Sequence, residues 1–126
     1  MPKEVPYLVL YISEYGGAGQ PAVQIIDNRK TFLEMWEEFT GTLETDVPNF
    51  NPDTEILIRK DFQSQNTGGS QYIVNSVVRD GNKIIISYSV VHEGLYATDA
   101  ITNPVMLIKI DKILNPEVDF VLQLNN

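Results

Sequence analysis

Seven segments of this chain read as β-strands, while a single segment carries the 3.6-residue period of a helix. That imbalance constrains the fold more than any other feature. The strand-like segments are Tyr7 to Ile12, Val23 to Ile26, Glu55 to Lys60, Gln71 to Arg79, Lys83 to Val90, Val105 to Asp111 and Asp119 to Leu124. Each is rich in Val, Ile, Tyr or Phe and is bounded by Gly, Pro, Asn or Asp, the residues that turn a chain or interrupt a ladder. In the last of them Phe120, Leu122 and Leu124 share a face opposite Asp119, Val121 and Gln123. One side of that strand is expected to meet the core and the other water.

The helical segment is DNRKTFLEMWEEFTG. Phe32, Met35, Trp36, Phe39 and Leu43 fall at spacings of three and four, along one stripe, while Glu34, Glu37 and Glu38 stay off it. Asp27 or Asn28 can cap the start, and Gly41 suits the end. The prediction is an α+β domain: a mainly antiparallel β-sheet or sandwich of about seven strands, with one amphipathic helix packed on it. At 126 residues, with no repeat or linker to divide it, the chain is read as a single domain, 1–126. Trp36 is expected to anchor the helix to the sheet, since aromatic side chains bury the largest areas in a small core.

Parity sets the expected register of the central hairpin. Ile84, Ile86, Tyr88 and Val90 form the apolar face of one strand, and Tyr72, Val74 and Val78 the richer face of its predecessor. Paired residues share a face, so a three-residue loop, Asp80-Gly81-Asn82, is predicted, pairing Val78 with Ile84, Val74 with Tyr88 and Tyr72 with Val90. Asn82 would take the left-handed position, and Arg79 would face Lys83.

Several function classes are disfavoured. Lys plus Arg number 9 against 17 Asp plus Glu, a net charge of -8, which on average repels phosphate backbones and anionic membranes. Nucleic acid is not an expected partner. With no Cys and a single His, the common zinc sets cannot be assembled, and neither a metal nor a cofactor is expected. The run Tyr7 to Ile12 is too short to span a membrane and lacks the flanks of a signal peptide. Asn49, Asn51, Asp53 and Glu55 alternate as a calcium loop begins, but Pro52 interrupts them, no glycine permits the sharp turn, and Glu55 opens a strand. Gly16, Gly17 and Gly19 lead into Pro21 and a strand rather than a helix N-terminus, so they are read as a mobile or sharply turned loop, not a phosphate cradle. His92, the only histidine, is read as an exposed loop residue following a strand; no serine sits in a nucleophile-elbow pattern, there is no cysteine, and no catalytic residue is assigned.

Thr67-Gly68-Gly69 precedes the two clearest strands. Paired glycines let the chain turn into a strand without a Cβ clash, and they also let another backbone approach. The run NTGGSQYIVNSVVRDGNKIIISYSV, followed by ATDAITNPVMLIKI with its Thr102-Asn103-Pro104 step, resembles the C-terminal domain of the protease complex subunit PrcB family. The resemblance covers about residues 55–113, with Ser70 and Val105 standing where that family commonly has aromatic residues. It implies a non-catalytic bacterial protein that binds and stabilises a protease complex, placed in the cell envelope or exterior if a leader was removed ahead of Met1 and otherwise without an assigned location. Thr67, Gly68, Gly69, Tyr96 and Thr102 are the candidate partner contacts. The alternative reading is a small-molecule or glycan-binding domain with Trp36 and Tyr96 in an aromatic groove. The sequence leaves the oligomeric state open.

Overall fold

A computed structural model describes residues 2–42, 46–65, 69–92 and 101–124, with the backbone alone of His92. Among the described residues the elements follow in the order β1 (Lys3–Glu4), β2 (Tyr7–Ser13), β3 (Ala22–Ile26), α1 (Arg29–Thr40), β4 (Glu55–Asp61), β5 (Ser70–Asp80), β6 (Lys83–His92), β7 (Val105–Asp111) and β8 (Glu117–Leu122). They make two four-stranded sheets, ordered β1-β5-β6-β8 and β2-β7-β4-β3. All pairings are antiparallel except that of β6 with β8. This is the α+β, mainly antiparallel architecture expected, with one strand more: β1, two residues long, is too short to leave a periodic signal.

Alternation along β4 and β7 divides the interior into two cores. Ile56, Ile58, Met106, Ile108 and Ile110 face the other sheet, where they meet Val77, Ile84 and Ile86. Leu57 and Leu107 face the opposite way and pack with Ile26 and Phe50 against Phe32, Met35 and Trp36 of the helix. The molecule is therefore layered as helix, middle sheet and outer sheet. The helix begins where Asn28 Oδ1 accepts from the Thr31 amide at 2.8 Å, satisfying a first-turn donor, and ends at Gly41 (φ 80), whose amide donates to the Glu37 carbonyl. Leu43, expected on the same stripe, lies outside the described residues.

The hairpin differs from its predicted register in half of its length. Asp80 pairs with Lys83 across a two-residue loop, so Val78 meets Ile85 and Val77 meets Ile86. Beyond a β-bulge at Asn75 the ladder shifts by one, and Val74–Tyr88 and Tyr72–Val90 pair as predicted. A bulge reverses the parity of everything past it. Thus Val77, not Val78, occupies the core beside Ile84 and Ile86, and the like charges Arg79 and Lys83 are not opposed. The loop needs positive φ at its first residue, which Gly81 supplies (φ 65). Asn82 instead reaches the strand beside it, its side-chain amide donating to the Asn115 carbonyl at 3.1 Å and its own carbonyl accepting from Glu117.

At the C-terminal strand, Phe120 packs inward near Tyr88 as expected, with ring centroids 6.3 Å apart. The ladder ends at Leu122, opposite Tyr88, so Leu124 lies beyond the sheet and both leucines are exposed rather than in the core.

Candidate functional site

The N-terminal chain changes sheets at Pro6, a residue that cannot donate to a ladder. Before it, β1 pairs with β5 at Lys3–Arg79 and Glu4–Val78, and the Val5 amide donates to the Val77 carbonyl at 2.9 Å. After it, β2 pairs with β7 in the other sheet. The edge of β5 is therefore covered near its end, and Tyr7 Oη reaches the Val74 carbonyl at 3.4 Å. Toward Ser70, no strand among the described residues pairs with that edge. A cleft of about 460 Å3 opens there, lined by residues 12–15 at the end of β2 and 70–72 at the start of β5.

Glu14 is the charged group of this cleft. Its Oε1 accepts from the Gly69 amide at 3.1 Å, its main-chain carbonyl accepts from Asn103 at 2.7 Å, and its Oε2 is buried without a hydrogen-bond partner. Among the described residues no lysine or arginine forms an ion pair with it. Burial, and then the charges of Glu14 and Tyr88, raise the pKa of Tyr72, so its hydroxyl stays protonated to higher pH than a free tyrosine. Burial raises Tyr88 in the same direction. Behind them, Phe62 lies 4.8 Å from the Tyr72 ring and 5.2 Å from that of Tyr88. Lys60 Nζ sits 5.3 Å from the Phe62 centroid and 5.7 Å from that of Phe120, and burial lowers its pKa against the opposing pull of Asp61.

The candidates from sequence fare differently. Gly69 adopts φ 88, a conformation that favours glycine, and points its amide at Glu14, so it both shapes the start of β5 and holds the carboxylate. Thr67, Gly68 and Tyr96 lie outside the described residues. Thr102, expected as a partner contact, is fully buried instead: its amide and carbonyl form a reciprocal bridge with Gln65, both at 2.9 Å, and its hydroxyl has no partner. Trp36 is buried between helix and sheet, edge-on to Tyr11 at 6.1 Å, with its indole Nε1 unpartnered. It is an anchor, and the aromatic groove loses its tryptophan. His92 belongs to the end of β6, opposite Ser70, rather than to a loop.

The remaining motifs are structural. Asn51 Oδ1 accepts from the Asp53 amide, and the Asn51 carbonyl accepts from Glu55, whose carboxylate returns to the Asn51 amide and pairs with Lys109 at 3.3 Å. Those oxygens close a turn. Among the described residues no cluster of three or more His, Cys, Asp or Glu is placed to hold a metal. The glycine-rich loop is turned and docked: the Gly17 amide donates to the Asn103 carbonyl, the Gly19 carbonyl accepts from Ser64, and the Ala18 amide donates to Asp61. No helix among the described residues is long and apolar enough to cross a membrane.

Glu14 and Tyr72 were not singled out as site residues by the sequence. Nothing local separates Glu14 from the other acidic residues, and its place emerges only when two sheet edges diverge around it. Compared with known proteins, the chain matches no family model, no curated protein and no solved structure.

Proposed function

We propose that this chain is a non-catalytic protein-interaction domain that takes an extended segment of a partner along the open edge of β5. The observation that carries this reading is the short reach of β1, which covers β5 only from Val77 to Arg79 and leaves the stretch from Gln71 to Val74 without a described strand beside it, with only the Tyr7 hydroxyl at the Val74 carbonyl. An unpaired edge offers main-chain donors and acceptors to any strand of suitable length, and neighbouring pockets supply selectivity. The PrcB resemblance suggests the partner class to try first, a protease complex of the bacterial envelope or exterior. In this reading the domain is an accessory or stabilising subunit. Its net charge of -8 speaks against nucleic acid as the partner.

The test is affinity capture of the tagged full chain from its own cells, followed by amide hydrogen exchange on the purified complex. The expected result is a protease or envelope partner, with slowed exchange across Gln71 to Val74. Capture that yields no partner, or protection confined to other strands, defeats the reading. A Gly69→Arg variant, if folded, should also lose the partner. The 460 Å3 cleft keeps a second reading in play, a small-molecule or glycan site between Tyr15 and Tyr72. Saturable binding of a sugar or metabolite there, with no partner protein, would favour it.

A further inference from the structure

We infer that the cleft beside β5 is a specificity pocket for a lysine or arginine side chain, presented by the partner's extended segment from the position facing Tyr72. This rests on the edge-docking reading above. The first ground is charge. Glu14 has one oxygen held by the Gly69 amide and the other buried without a partner, and no lysine or arginine among the described residues pairs with it. A carboxylate at the wall of a cleft with no cation beside it favours a positively charged side chain placed nearby, an attraction that does not require the buried oxygen to be reached.

The second ground is the shape and chemistry of the walls. Tyr15 and Tyr72 line the cleft together with Ile12, and Tyr15 is 57% exposed. Aromatic faces attract a cation, and an apolar wall suits the methylene stem that carries it. The volume of about 460 Å3 accommodates a long side chain with water around its head.

Strand geometry supplies the third. The Val74 carbonyl faces the open edge, where Tyr7 touches it, and the period of two turns the Tyr72 peptide group the same way. The Tyr72 side chain packs inward, against the inter-sheet core. A residue of an added strand lying opposite Tyr72 shares its face, and so points into the cleft where Glu14 stands. The acidic surface as a whole draws a cationic segment toward it.

The test uses the isotope-labelled full chain and three probes: the peptide acetyl-Thr-Val-Arg-Val-Thr-amide, the same peptide with neutral citrulline for arginine, and N-acetylarginine amide. The arginine peptide is expected to shift the amide resonances of Glu14 and of Gln71 to Val74, and to bind about tenfold tighter than the citrulline peptide. Glu14→Gln, which keeps an acceptor for the Gly69 amide, should abolish that preference, so that the arginine and citrulline peptides bind the variant alike. The wild-type comparison of the two peptides stands even if the variant fails to fold. Equal binding of both peptides at Gln71 to Val74 overturns the pocket and spares the edge. Failure of every peptide to perturb those residues overturns both. N-acetylarginine amide binding as tightly as the arginine peptide overturns the claim that a strand presents the cation.

Discussion

The central strands of the two sheets are alike in composition and differ in what covers them. EILIRKD (β4) and VMLIKID (β7) are buried on both faces, one under the helix and one under the other sheet. SQYIVNSVVRD (β5) and KIIISYSVVH (β6) bury one apolar row, through Val77, Ile84 and Ile86, while Ile73 on the other row is 38% exposed. A strand in the middle layer has neither face left for recognition. Among the described residues the outer sheet keeps a face and part of an edge uncovered, and the cleft opens on that edge. The candidate site thus follows from where α1 sits.

The largest test of this contrast lies in the middle sheet. Arg59 Nε and Nη2 donate to Asp61 at 2.9 and 3.1 Å, the pair is nearly buried, and the guanidinium lies 5.0 Å from the Phe39 centroid. Asp61→Ala strands the guanidinium and removes the acceptor of the Ala18 amide. The expected loss in urea denaturation is about 3–5 kcal/mol. Adding Arg59→Met should recover part of it, since the apolar replacement leaves no unpaired charge. No recovery would mean that Asp61 acts mainly through the glycine-rich loop.

Next come Leu107→Ala and Ile108→Ala, adjacent residues of β7 facing the helix and the outer sheet respectively, both fully buried. Each is expected to cost about 2–5 kcal/mol, because each leaves a cavity in a packed layer. A Leu107 variant as stable as wild type would show that the helix covers the sheet loosely, and the two-sided burial of β7 would be wrong.

This contrast was half legible in the sequence. The apolar run VMLIKI already exceeds what strict alternation would give, the sign of a strand covered on both sides. The ends of β7 and the caps of the helix were predictable because Pro104, Asn28 and Gly41 mark them by local chemistry. The bulge at Asn75 was not: one unpaired residue moves Val77 into the core in place of Val78 without altering composition. Nor was the parallel pairing of β8, since an edge strand carries no mark of its neighbour's direction. The cleft is less legible still, being made where residues 12–15 meet residues 70–72, segments tied by one hydrogen bond between Glu14 and Gly69, 55 residues apart.

A smaller effect is expected at the bulge. Asn75 Nδ2 donates to Ser89 Oγ at 2.7 Å and to Gln123 Oε1 at 2.8 Å, and Ser89 Oγ donates to the Gln123 carbonyl at 3.3 Å. This polar group covers the outer face locally and explains why Ser89 is buried there. Asn75→Ala should cost about 1 kcal/mol through those lost bonds. It should also speed exchange of the neighbouring β5 and β6 amides, whereas unchanged exchange would mean that the side chain does not hold the bulge.

The smallest effect bears most directly on function. Val121 sits on the outer face of β8 opposite Ser87 and is 45% exposed. Val121→Thr keeps the β-branched shape that a strand favours and exchanges a methyl for a hydroxyl that water can reach. If the outer face is solvated, stability should stay within about 0.5 kcal/mol of wild type and should not depend on protein concentration. A cost well above that, growing with concentration, would place a second copy of the chain over this face. Both faces of the outer sheet would then be covered like those of the middle one, and the difference between the sheets would be confined to the edge of β5.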